Sequence, residues 1–417
     1  MDGLRGTGDL VLRDTSPAAT EQAGRLLRLA LPGVALIAVT FGLARYGYGL
    51  LLPEMQSDLG ISSHTAGLIA SGAYASYLVT NIAVIWLTVH LGPRWPIGLA
   101  AGLAAAGMAV VATAQTPAGA AVGVVVAGAA AGFALPPYAD IVDQEAPPSR
   151  RALAWSTISS GTGWGVAVAG PVAVGFGDSW RFAWLTFVVL TVAAGIIATA
   201  LAPAKVRHEG RPRVPQLSWT WFVCPKSRPL LLSSVLIGAG SAVWWTFSVE
   251  ALRTAGLSGG QARLAYAVCG VAAIIASWSG SVVDRIGLRN SYLTACALLA
   301  AALGLIALGA SRFALVLLAA VLFGAFYSAV VASQGIWSAS VFARRPSAGL
   351  AAVNTALTLG TITGPALGGT AIHAIGHTRT LLTAAAVVGV AVFFCPPSAR
   401  RREVLAAHRC RATPVRD

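Results

Sequence analysis

The chain is 417 residues long, 56% hydrophobic and 11% charged, with a formal net charge of +14 and a mean hydropathy of +0.73. A soluble domain carries about 25% charged residues, so this composition excludes a mainly soluble protein and leaves room for many membrane spans. The basic residues sit in short loops and tails between apolar segments, without an aromatic-interleaved basic stripe, which excludes a nucleic-acid binder.

Residues 1–28 are polar, contain acids and lack the apolar core of a signal peptide. A spanning helix needs about 20 largely apolar residues. Segments 29–52, 65–89, 95–114, 118–140, 153–175, 182–202, 229–251, 262–283, 290–310, 313–336, 349–373 and 380–396 meet that need, which predicts twelve spans. The longest link, 203–228, is polar and basic and divides six spans from six. The expected organisation is a tail (1–28), a six-helix bundle (29–202), a central loop (203–228), a second six-helix bundle (229–396) and a tail (397–417). Trp219, Trp221 and Phe222 in the central loop fit either an amphipathic helix on the inner leaflet or a tether with interfacial aromatics.

Arg181, Arg253, Arg263, Arg312 and Arg379 fall on one side of the predicted membrane and Arg45 inside span one; every other Lys and Arg falls on the opposite side. Cytoplasmic loops collect positive charge, so both termini are expected to be cytoplasmic in a multi-pass protein of the cell membrane.

The two bundles repeat each other at a spacing of 194–196 residues. Gly170-Pro171 recurs as Gly364-Pro365, Arg150-Arg151 as Arg344-Arg345, Glu54 as Glu250, and Leu91-Gly92-Pro93-Arg94 as Ile286-Gly287-Leu288-Arg289. The copies keep chain order and predicted membrane direction. Parallel halves of this kind hold a ligand between them in one large class of transporters.

Several motifs carry a family resemblance. Gly280-Ser-Val-Val-Asp284-Arg285-Ile-Gly287-Leu-Arg289, between spans eight and nine, resembles the loop signature of the major facilitator superfamily. By that resemblance Asp284, Arg285 and Arg289 would latch the cytoplasmic helix ends. The first-half copy has Val89 and His90 in place of the acid and base but keeps Gly92 and Arg94. Gly360-Thr-Ile-Thr-Gly364-Pro365-Ala-Leu-Gly368-Gly369, with Gly170-Pro171 in span five, resembles the glycine–proline segment of antiporters in the same superfamily. Small residues also serve close helix packing on their own account. Phe41-Gly-Leu-Ala-Arg45-Tyr46-Gly-Tyr48, followed by Pro53-Glu54-Met55 and Gly67-Leu-Ile-Ala-Ser71, looks like the opening of the YbfB/YjiJ-like members.

The resemblance implies an all-α membrane protein with twelve transmembrane helices in two parallel six-helix repeats. It implies secondary active movement of a small-molecule substrate across the bilayer, with no enzyme activity and no cofactor. Proton-linked efflux of a drug-like or secondary-metabolite compound is the first expectation, which makes protons a candidate partner. Uptake of a small organic anion is the alternative. A third is a ligand-binding membrane protein or enzyme that keeps the fold without transporting.

Intramembrane charge is the strongest site signal in such a chain. Arg45 would face an anionic substrate or a coupling carboxylate, or else serve as a structural arginine. Tyr48, Tyr74, Tyr77, Asn81, Trp164, Trp244, Trp245, Tyr327, Gln334 and Asn354 are candidate cavity groups, because Tyr and Trp suit a substrate of mixed polarity. Glu54, Glu250 and Asp140 are candidate gate or protonation sites near span ends. Cys224, Cys269, Cys296, Cys395 and Cys410 show no metal spacing and read as reduced thiols. His373 and His377 stand four apart but lack a third ligand, so interfacial histidines are expected rather than a metal site.

Overall fold

A computed structural model describes residues 30–203, 225–276, 283, 285–343 and 346–397. Both tails, most of the central loop with Trp219, Trp221, Phe222 and Cys224, the pair Arg344-Arg345, and Gly280 and Asp284 of the loop motif lie outside the described residues.

All regular structure among the described residues is helical. In chain order it comprises α1 (Ala30–Leu59), α2 (Ser63–Leu91), α3 (Arg94–Thr113) and α4 (Pro117–Glu145). Then follow α5, split into Arg151–Ser159 and Gly161–Phe176, and α6 (Trp180–Leu201). The second half has α7 (Arg228–Thr254), α8 (Gly259–Ala276), α9 (Leu288–Gly309) and α10 (Phe313–Val341). The last helix, Pro346–Val390, is two helices meeting at Gly376, where φ is 80°; these are α11 (346–375) and α12 (377–390). Ten helices among the described residues are long and apolar enough to cross a membrane. The break at Gly376 and the split α5 make this count agree with twelve segments.

Local chemistry sets many of the helix ends. The Ser62 side chain caps α2 by accepting from Thr65 N, and Thr116 caps α4 by accepting from Gly119 N. Gly60 closes α1 in the left-handed region at φ 68°, where a Cβ would be strained. Within a bilayer these backbone groups have no water to turn to, so helix is the only open structure that satisfies them.

Packing is led by small residues. Within the second half, Gly360 sits against the Val235 carbonyl and Gly364 against that of Ala239, which locks α11 onto α7. Gly368 lies under Val243 and Phe247. Within the first half, Gly165 of α5 meets Ala38 and Gly42 of α1. Small residues allow this approach because lipid supplies no hydrophobic drive between helices, leaving contact distance to decide association.

The two halves meet through matching pairs. Helix α2 packs on α11 through Gly67 against Pro365 and Gly369 against Ser63. Helix α5 packs on α8 through Gly163 against Gly270 and Gly170 against Ala267. Swapping the halves exchanges one pair for the other, as the internal repeat requires. Along α2 the cross-half contacts run from Ser63 to Tyr77. Beyond Tyr77, the side chains of Val79, Ile82, Ile85 and Trp86 are at least 60% exposed. The molecule is thus tied together at the Glu54 end.

Candidate functional site

The site begins with a widened turn. Ala38–Arg45, inside α1, winds as a π-helix, and Tyr46 N donates to Phe41 O at 3.0 Å. Such turns are rare and often found at functional positions. This one places Arg45 among four rings. Its guanidinium carbon lies 4.3 Å from the Tyr77 ring centre, 4.5 Å from Tyr74, 5.5 Å from Phe41 and 5.7 Å from Tyr46. No carboxylate among the described residues comes within 4.0 Å of it. Arg45 Nε is buried without a hydrogen-bond partner. A charged side chain deep in a span costs several kcal/mol; a desolvated cation–π contact returns roughly 2 kcal/mol. The rings therefore offset the cation in part and leave it without a counter-ion.

The second half completes an aromatic belt around it. Trp245 of α7 stacks on Tyr46 with centroids 4.2 Å apart and stands edge-on to Tyr266, Phe323 and Tyr327. Trp244 stacks on Phe323 at 4.2 Å. Tyr266 OH donates to Tyr46 O at 2.9 Å. Asn354 of α11 donates from Nδ2 to Tyr77 OH at 3.1 Å. Arg45, Tyr327 and Asn354 keep partial exposure while Tyr46, Tyr74, Tyr77 and Trp245 are buried.

The belt thus unites Arg45, Tyr74, Tyr77, Trp245, Tyr327 and Asn354 of the candidate cavity residues, with Trp244 behind them. Others go elsewhere. Tyr48 is buried and donates to Ala66 O at 3.3 Å, so it fastens α1 to α2 rather than lining open space. Gln334 is fully buried and donates to Ser233 Oγ at 3.3 Å, an α10–α7 packing contact. Trp164 is 47% exposed on the face it shares with Val168 and Pro171, turned away from the glycines that pack on α1 and α8. Trp164 is therefore not among the residues of the belt. Asn81 is partly exposed on α2, one turn beyond Tyr77.

The acids near the span ends form links between halves. Glu54 of α1 accepts from Arg263 of α8 at 2.7 Å, and Asp178 stands 3.4 Å from the same guanidinium nitrogen. Glu250 of α7 accepts from Ser63 Oγ of α2 at 2.6 Å and lies 3.2 Å from His377 Nε2. His64 and Thr370 meet beside them at 3.0 Å. Arg181 pairs with Asp58 and donates to Ala114 O within the first half. Asp140 is partly exposed toward the opposite end of α4. Arg285 is exposed, and Arg289 donates to Pro396 O at 3.3 Å. Arg263 was hidden among the loop charges in the sequence, and Tyr266 and Phe323 among apolar residues. The described residues contain no group of three metal-ligating side chains.

The sequence matches the family profile described as Major Facilitator Superfamily over residues 34–308 and again over 230–414. The chain belongs to that superfamily. Membership makes it a multi-pass membrane transporter rather than an enzyme. Of solved structures, the nucleoside transporter NupG is similar in fold, with a TM-score of 0.72 and 14% identity over 88% of this chain and 97% of NupG. A bacterial homolog of the human lysosomal transporter Spinster, in an inward-facing and unoccupied conformation, gives a TM-score of 0.65 and 16% identity over 89% and 96% of the two chains. The sequence matches no curated protein.

Proposed function

We propose that this superfamily member is a secondary active transporter that moves a small organic anion across the cell membrane by alternating access. The two six-helix halves rock about the aromatic belt, with both termini and the central loop in the cytoplasm. The observation that carries the anion is Arg45, a cation between the halves with no carboxylate beside it among the described residues. In this reading the Glu54 end faces outward and is closed by the Glu54–Arg263 and Ser63–Glu250 links. The opening residues Phe41 to Met55 favour a place among the YbfB/YjiJ-like members.

Proton-linked efflux of an uncharged drug-like compound is the second reading, and the ring faces of Tyr46, Tyr327 and Trp245 favour it. The glycine–proline segments do not add to it, because Gly364, Gly360 and Gly170 are each accounted for by helix contacts. The test is flux into sealed vesicles of matched anionic and neutral aromatic solutes, with and without a pH gradient. Anion flux lost in Arg45→Gln supports the proposal; neutral flux indifferent to that change overturns it in favour of efflux.

A further inference from the structure

We propose that the ligand at Arg45 is a planar aromatic compound bearing a single carboxylate, with the carboxylate on the in-plane edge of the guanidinium and the ring against the belt. The inference deepens the transport reading above and rests on it.

Charge sets the valence. Arg45 is the uncompensated cation of the belt, since the other deep arginine, Arg263, already holds Glu54. A monoanion neutralises the site. A dianion such as phosphate would leave a net negative charge in the same apolar surroundings and lose most of the gain.

Geometry sets the group. Rings at 4.3 and 4.5 Å stand at stacking distance from the guanidinium. The guanidinium is planar and presents its N–H donors as a fork. That fork matches a carboxylate through two parallel hydrogen bonds. Nε is a buried donor with no acceptor, so one of those bonds is waiting to be made.

The walls set the body. Beside Arg45 stand Tyr46, Tyr327 and Trp245, with the Asn354 amide on Tyr77 OH. Aromatic pairs are attracted beyond the area they bury, so a flat ring gains more here than an aliphatic chain of equal size. Tyr327, Trp245 and Asn354 belong to the second half and Arg45 to the first. One ligand of this shape therefore touches both halves, as a transported substrate must.

The test uses the purified full chain in lipid nanodiscs, read by tryptophan fluorescence and by thermal shift. The probes are 2-naphthoate, benzoate, 2-naphthamide, octanoate and inorganic phosphate. The expected order places 2-naphthoate first, benzoate next, and the amide, the fatty acid and phosphate far behind. Arg45→Gln should weaken 2-naphthoate by about tenfold or more, as expected for a lost hydrogen bond to a charged group. Arg45→Lys should recover only part. Should Arg45→Gln fold poorly, Tyr327→Ala serves instead, and it should weaken 2-naphthoate more than octanoate. Equal binding of amide and acid, preference for phosphate, or an unchanged ratio in Tyr327→Ala would overturn the proposal. Binding of 2-naphthoate without flux into vesicles would uphold this site and overturn transport. Flux of a neutral solute untouched by Arg45→Lys would do the reverse.

Discussion

Glu54 and Arg263 meet at 2.7 Å, with side chains 5% and 3% exposed, and they belong to opposite halves of the molecule. A buried charge pair joining two moving bodies acts on their equilibrium more than on either fold. Removing one partner leaves the other buried and alone, at about 3–5 kcal/mol. Arg263→Gln strands Glu54, whereas Glu54→Gln leaves Arg263 with Asp178 at 3.4 Å. Arg263→Gln should therefore open the Glu54 end more than Glu54→Gln does. The check is the distribution of distances between spin labels on α5 and α8, in a background without native cysteines. Equal distributions in both variants and the parent would show that the pair does not hold the end shut.

Ser63 and Glu250 form the partner link, at 2.6 Å. A hydrogen bond to a charged group contributes about 1.5–3 kcal/mol. Ser63→Ala should shift the population toward the state open at that end, by about tenfold or more, while the folded yield stays near normal. Distances between spin labels on α2 and α11 would report the shift. An unchanged distance distribution would refute it.

Glycines that join the halves should behave differently from those within one half. Gly364 packs on Ala239 inside the second half, and Gly67 packs on Pro365 across the interface. Gly364→Val should lower the amount of folded protein. Gly67→Val should fold but fail to close, so transport falls with yield intact. Gly304, with nothing within 4 Å of an added Cβ, is the control, and Gly304→Ala should leave both unchanged. Monodispersity in size-exclusion chromatography and vesicle flux separate these outcomes.

Trp164 and Trp245 give a paired comparison. Trp164 is 47% exposed on an apolar face, whereas Trp245 is 4% exposed and stacked on Tyr46. Trp164→Leu should leave transport kinetics unchanged, and Trp245→Leu should raise KM or abolish flux. Loss of flux in Trp164→Leu with normal yield would return that residue to the substrate path.

The fold was readable because hydropathy and charge act locally. Apolar runs such as Phe313–Val341 read as spans, and the glycines around Gly364 do pack closely. Arg45 was readable for the same reason: its depth within an apolar run follows from position alone. Its neighbours were only half readable. Tyr74 and Tyr77 carry the same signal as Tyr48 and Trp164, yet the first two ring the guanidinium and the others do not. A ring in a span looks alike in sequence whether it meets lipid, a carbonyl or a cavity. Facing depends on helix rotation, and in α1 that rotation is altered by the π-turn at Ala38–Arg45.

The sequence by itself determined the all-helical class, the duplication, and the equivalence of Glu54 with Glu250, since each follows from local composition or from comparing the chain with itself. Only the tertiary structure decided what those two glutamates hold. One takes an arginine of α8; the other takes a serine of α2 with a histidine nearby. The residues at the partner positions have diverged between the repeats, so no internal comparison predicts them. Pairing across a membrane interface is chosen by which side chains arrive within about 3 Å, and that is settled when the two halves pack.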